Sequence, residues 1–164
     1  MRQGNPYFEI NPEVLPQVDN RYAVVIAKWN FEINKELLEG VKEAFREFKV
    51  PDDNLDIFYV PGAFEIPVVA SELADQGEYD AIICLATIIK GDTYHFEIVA
   101  NESARGLMNT SIDCAVPILN GILAVNNLEQ AQKRASRQEE NKGYELALSA
   151  IDMVATLDAI RDVK

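Results

Sequence analysis

Histidine occurs once in this 164-residue sequence, tryptophan once and cysteine twice. One imidazole and two distant thiols, Cys84 and Cys114, do not make a zinc site, which needs a clustered set of nitrogen and sulfur ligands. The cysteines are not in a redox spacing either, so both are expected to be reduced, as in a cytoplasmic protein. Positive charge is scarce: 15 Lys and Arg stand against 27 Asp and Glu, for a net charge of -12. Nucleic acid and anionic membrane are polyanions, so neither is an expected partner, and an anionic small molecule would need a locally placed basic group. There is no G-x-G-x-x-G after the first strand-like run and no G-x-x-x-x-G-K-[ST], which removes the dinucleotide and P-loop readings. The first strand ends in Lys28-Trp29 rather than an acidic pair, which counts against a phospho-receiver domain. No apolar run approaches the length of a membrane span. The opening residues carry Pro6, Pro12 and Pro16 and no apolar core, so no signal peptide is expected.

What is present is an ordinary core-forming composition, 48% apolar and 26% charged, long enough for one domain with a full core. Residues 1–20, polar and proline-rich, read as an extended N-terminal arm suited to lie against a neighbouring subunit, and residues 21–164 as a single α/β domain. A continuous apolar run at Tyr22 to Ala27 predicts a strand buried on both faces, and Leu55 to Val60 and Ala81 to Thr87 read as a second and a third strand. Val116 to Val125 is a fourth, weakened by Pro117 and Gly121. Between them lie helical periodicities. Ile33, Leu37, Val41, Phe45 and Phe48 mark the first, and Pro67 opens a second that Gly77 ends. A third runs from Phe96 to about Met108, a fourth from Gln130 to Arg137, and the last from about Tyr144 to Ile160. Strand and helix alternate, which predicts a three-layer αβα fold with a four-stranded parallel sheet in flavodoxin-like order. Ligands bind such sheets at the carboxyl ends of the strands. Those ends are expected to carry Trp29-Asn30, Gly62 to Glu65, Thr87 to His95, and Asn120-Gly121.

The segment Ile88-Ile89-Lys90-Gly91-Asp92-Thr93-Tyr94-His95-Phe96-Glu97 holds the sole histidine beside a glycine and an expected helix start. Asp92 and Thr93 would offer N–H groups to a phosphate there, next to a group able to transfer protons. A polar surface loop accounts for the same residues. Trp29 can stack on a planar heterocycle or serve as a core or interface tryptophan. Glu65 can bind substrate hydroxyls or accept from the N–H groups opening its own helix. Arg134 can clamp a phosphate or be a solvated surface arginine. Lys90 and Lys142 can be surface charges.

Several of these residues fall into an ordered set of motifs. Trp29-Asn30 precedes Val60-Pro61-Gly62-Ala63-Phe64-Glu65-Ile66-Pro67. The Ile89 to Glu97 segment follows, then Glu129-Gln130-Ala131 with Arg134-Ala135, and finally Asn141-Lys142-Gly143. With consistent spacing over residues 22–157, this resembles the 6,7-dimethyl-8-ribityllumazine synthase family. The resemblance implies condensation of 5-amino-6-ribitylaminouracil with 3,4-dihydroxy-2-butanone 4-phosphate, without metal or organic cofactor. It implies that Trp29 stacks on the pyrimidine, that Ala63, Phe64 and Glu65 hold it and its ribityl chain, and that Thr87, Ile88 and Ile89 present backbone groups. It further implies that Asp92 and Thr93 bind phosphate with Arg134 from another subunit, and that His95 shuttles protons. As partners it implies further copies of the chain, in a pentamer or a sixty-subunit icosahedral shell with sites between subunits, and riboflavin synthase. The chain departs from the family pattern at Ala86, where Gly is common, at Asn120, where a Phe packs on the pyrimidine from the neighbouring subunit, and at Ala124, where Thr is usual. These departures leave a non-catalytic flavin or lumazine binder, or a shell scaffold, as the alternative.

Overall fold

The structure is a computed structural model that describes residue 10 and residues 16–163. Most of the expected N-terminal arm lies outside the described residues. Near its end, Gln17 and Asn20 close a turn through the Gln17 amide and the Asn20 side chain (2.8 Å). Asn54 donates to the carbonyls of Val18 and Asn20 and ties that turn to the domain.

The elements run β1 (Tyr22–Ala27), α1 (Phe31–Glu47), β2 (Leu55–Val60), α2 (Ile66–Gln76), β3 (Ala81–Ile89), α3 (His95–Cys114), β4 (Ile118–Val125), α4 (Leu128–Ala135) and α5 (Lys142–Asp162). The strands form one parallel sheet in the order β2-β1-β3-β4, the flavodoxin-like arrangement expected. β1 is buried at every position because it is central and covered on both faces. Alternation of side chains splits it between two cores. Tyr22, Val24 and Ile26 face a layer made by α1, α4 and α5, where Leu37, Val41, Ala131, Ala147 and Ile151 are buried. Ala23, Val25 and Ala27 face α2 and α3, where Ile66, Ala70, Leu73 and Leu107 are buried. Ile83 and Leu85 of β3 likewise join the first core, and Ile82, Cys84 and Ala86 the second.

Two glycines and one asparagine set how closely α1 and α5 pack. A Cβ at Gly143 would stand 1.9 Å from the Leu37 carbonyl oxygen, and one at Gly40 would stand 2.0 Å from the Asn141 side-chain oxygen. Asn141 is buried, donates to the carbonyls of Glu36 (2.9 Å) and Ala135 (2.8 Å), and caps α5 by accepting from the Tyr144 amide. The Asn141-Lys142-Gly143 motif is thus a clasp joining α1, α4 and α5. Lys142 is a half-exposed charge paired with Glu145 at 2.9 Å.

Several boundaries differ from expectation. β3 runs through Ile89, and β4 begins at Ile118 because Pro117 cannot donate in the ladder, although its carbonyl accepts from the Ile82 amide. α3 continues past Met108 to Cys114, where Ala115 adopts a left-handed conformation (φ 53) and closes it. α4 lies two residues earlier than expected, because Asn127 caps it by accepting from the Gln130 amide. No helix among the described residues is long and apolar enough to cross a membrane.

Candidate functional site

In the order β2-β1-β3-β4 the chain leaves β1 toward one edge of the sheet and β3 toward the other. The loops after these two neighbouring strands therefore diverge and open a crevice between them. A cleft of about 440 Å³ occupies that place. Ala27, Trp29 and Asn30 form one wall, and Gly62 through Glu65 form a second. Thr87, Ile88 and Ile89 form a third, closed by His95 and Val99 of α3.

Local sequence explains each wall. Asn30 takes a left-handed conformation (φ 58, ψ 38), which asparagine tolerates better than most residues, and turns the chain from β1 into α1. Trp29 is carried on that turn and stands 75% exposed, so it is not a core residue. Its backbone amide donates to the Pro61 carbonyl (3.1 Å), which holds the first wall against the second. A single 3-10 turn, Ala63–Glu65, follows Gly62 and places Phe64 half-exposed at the rim. The Glu65 side chain makes no capping bond at the start of α2, so the capping explanation of this residue lacks its bond. The Lys90 amide donates to the Val125 carbonyl (2.8 Å) and extends the β3–β4 ladder to the edge of the site. The Lys90 ammonium lies 3.7 Å from Glu97, half-exposed.

The cleft thus gathers Trp29, Ala63, Phe64, Glu65, Thr87, Ile88, Ile89 and His95, eight of the residues expected at a site. Four others stand outside it in this chain. Asp92 and Thr93 are exposed beyond the rim, two or more residues before α3 begins at His95. The Thr93 hydroxyl accepts from the His95 amide (3.4 Å), so it braces the helix start that carries the imidazole. A Cβ at Gly91 would meet nothing within 4 Å, which leaves that backbone approachable. Asn120 was expected on the carboxyl rim. It instead pairs with Cys84 in mid-sheet, and β4 ends at Val125. Its side-chain oxygen accepts from the Ile122 amide (3.0 Å), so only its N–H₂ group is left to donate outward. Arg134 lies on α4, in the layer on the opposite face of the sheet from α2 and α3. Its guanidinium donates to the Gln130 carbonyl (3.1 Å). The sheet separates it from the cleft of its own chain.

Polarity is therefore uneven. The lining contains one carboxylate, one imidazole, one carboxamide and one hydroxyl among apolar and aromatic groups, with no Lys or Arg. It presents an exposed indole on one wall, the Thr87 to Ile89 segment on another, and an imidazole at its α3 end. It lacks a cation for a strongly anionic group. Among the described residues no cluster of His, Cys, Asp or Glu could hold a metal ion.

Sequence reasoning missed one polar residue here. Asn34 is fully buried beneath the cleft, and its amide bonds the ends of both β1 and β3. The available signal was its spacing. Asn34, Leu37, Leu38 and Val41 follow at helical intervals, so a carboxamide stands on the inward stripe of α1.

Over residues 19–158 the chain matches a family model described as 6,7-dimethyl-8-ribityllumazine synthase.

Proposed function

The chain belongs to the 6,7-dimethyl-8-ribityllumazine synthase family, a transferase family of riboflavin biosynthesis, and from that premise we propose the reaction and the role of each wall. The substrates are 5-amino-6-(D-ribitylamino)uracil and 3,4-dihydroxy-2-butanone 4-phosphate. The amine and ketone form an imine with loss of water, phosphate is eliminated, and ring closure with loss of a second water gives the lumazine. Trp29 stacks on the pyrimidine, and main-chain groups of Thr87 to Ile89 bond its polar edge. Ala63, Phe64 and Glu65 hold the pyrimidine and its ribityl chain, with the Glu65 carboxylate accepting from hydroxyls. His95 moves the protons that leave carbon and return to oxygen. Most of the acceleration comes from holding two mutually reactive molecules in register, with proton transfer adding to it. The observation that carries this reading is the meeting of Trp29 and His95 in one cleft at the strand switch point.

The phosphate end requires a second copy of the chain. Asp92 and Thr93 would bind the phosphate through backbone and hydroxyl groups, but the cleft has no guanidinium or ammonium in its own lining. Arg134 of an adjacent copy supplies that charge, and Asn120 of an adjacent copy faces the pyrimidine. Exposed apolar groups support association. Trp29 and Phe64 stand out at the cleft and Val68 on the adjoining first turn of α2, and Tyr94, at the cap of α3, is followed by Ile98, Met108 and Ile112 along one exposed stripe of that helix. The assembly is a pentamer or an icosahedral shell of pentamers, in a cytoplasmic protein.

Mixing the protein with both substrates and following lumazine absorbance tests the reaction. Formation well above the spontaneous background supports it. Product at the background rate would instead favour a non-catalytic binder or scaffold of the same fold, the reading that Asn120 in place of an aromatic residue suggests.

A further inference from the structure

We propose that Asn34 is the positioning residue of the pyrimidine end of the site: a buried carboxamide that locks the carboxyl ends of β1 and β3 together and so sets the gap between Trp29 and the Thr87 to Ile89 backbone. It rests on the reading of the cleft as a pyrimidine site.

Asn34 lies in the first turn of α1 and is 0% exposed. Its N–H₂ group donates to the carbonyl of Ala27 (2.8 Å) and to the carbonyl of Trp29 (2.8 Å). Its oxygen accepts from the Thr87 hydroxyl (2.8 Å). A second carboxamide completes the tie, as Asn30 donates to the Thr87 carbonyl (2.7 Å). Ala27, Trp29, Asn30 and Thr87 all line the cleft, whereas Asn34 does not touch it. Both amide hydrogens and the oxygen are engaged, and every partner belongs to a cleft wall.

Stability alone does not call for this arrangement. Burying a carboxamide is costly unless each polar atom is paired, and an apolar side chain would fill the same inward position of α1. The amide does what leucine cannot. It fixes the orientation of the Trp29 peptide, from which the 75%-exposed indole projects with little packing of its own. It also links that peptide to the strand presenting main-chain groups on the other side of the gap. Satisfied buried networks of this kind specify one geometry rather than several.

The test uses the assembled protein with Asn34→Leu, Asn34→Asp, Thr87→Val and Thr87→Ser. Asn34→Asp keeps the shape and the acceptor but removes both donors. Expected is a rise of about tenfold in KM for the pyrimidine substrate in both Asn34 variants, with KM for the phosphate-bearing substrate within about twofold of the parent. Thr87→Val shows a smaller change in the same direction, Thr87→Ser restores the parent value, and Asn34→Leu with Thr87→Val is less than additive. Trp29, the only tryptophan, gives a readout independent of turnover: its fluorescence anisotropy in unliganded protein falls in the Asn34 variants. If the parent protein makes no product, the reading of the site fails while the anisotropy still decides the positioning of Trp29. If Asn34→Leu does not fold, the Thr87 pair decides by the same measures. Equal changes in both KM values, or a lowered melting temperature with unchanged Trp29 anisotropy, would overturn the proposal.

Discussion

Gly62→Ala separates binding at the cleft from stability of the fold. Gly62 has φ -152 and ψ -178, an extended backbone that alanine adopts without strain. A Cβ there would lie 3.2 Å from Trp29 Cδ1 and 3.2 Å from a Glu65 carboxylate oxygen. Both neighbours are exposed side chains that can retreat by a few tenths of an ångström without disturbing either core. Replacing glycine also narrows the unfolded ensemble, by about 0.4–1 kcal/mol at compatible positions. The melting temperature should therefore stay level or rise slightly. The indole, however, is pushed from its place against the heterocycle. An aromatic stacking contact is worth about 0.5–1.5 kcal/mol, so affinity for the pyrimidine should drop about two- to tenfold. Quenching of Trp29 fluorescence during titration with the pyrimidine measures this, alongside a thermal melt. Gly143→Ala is the control, because its Cβ would meet the Leu37 backbone at 1.9 Å and should destabilise the protein severely. Parent-like affinity in a folded Gly62→Ala protein would refute the placing of Trp29 in the binding slot. Loss of folding would refute the claim that these contacts can give way.

Other perturbations address the remaining parts. His95→Ala should slow turnover by up to about 10²-fold while leaving the assembly intact by light scattering; an unchanged rate would remove His95 from proton transfer. Asn141→Ala removes the donors to one buried and one partly buried carbonyl and the cap of α5, so it should cost about 2–4 kcal/mol in denaturant unfolding. Stability should fall on the alkaline side. Burial pushes the Cys84 thiol above its ordinary 9.0. Burial, with Asp80 and Asp158, pushes the Tyr22 phenol above 10.0. Tyr79 is raised to about 12, by burial first and then by its bond to Asp56. In each case the folded chain keeps its proton after the unfolded chain has lost it. These contributions are complete below about pH 8 and are lost as pH rises through 9 and 10 toward 12. Denaturant midpoints across that range should decline, with the earliest part of the decline absent in Cys84→Ala.

The fold was legible where burial is complete. β1 and most of β3 read as near-continuous apolar runs because parallel strands covered on both faces carry no polar alternation, whereas the edge strand β2 carries Asp56 and is only partly buried. The far half of α3 was not legible. Only Ser103 and Leu107 are buried on it within one chain, so no inward stripe marks the turns that carry Asn109, Thr110 and Ser111. Within the site, residues at strand ends were readable because topology dictates where those ends meet. Asn120 was misplaced on the rim although the expected strand already ran past it to Val125, because Gly121 only weakened that strand in the sequence. Gly121 is the position where β4 passes Leu146 and the Cys84 carbonyl, with no room for a Cβ (2.6 and 2.5 Å). Asn34 escaped because a single amide on an apolar stripe carries no motif, and its purpose appears only once β1 and β3 stand side by side.

The central claim is that one chain supplies the heterocycle slot and another supplies the guanidinium. Mixing Trp29→Ala with Arg134→Ala subunits, dissociated and reassembled together, tests it directly. Each variant alone should turn over poorly. The mixed assembly should recover activity, because some interfaces then pair an intact Trp29 with an intact Arg134. A mixed assembly, verified by size and by labelled subunits, that is no more active than its two parents would contradict the account.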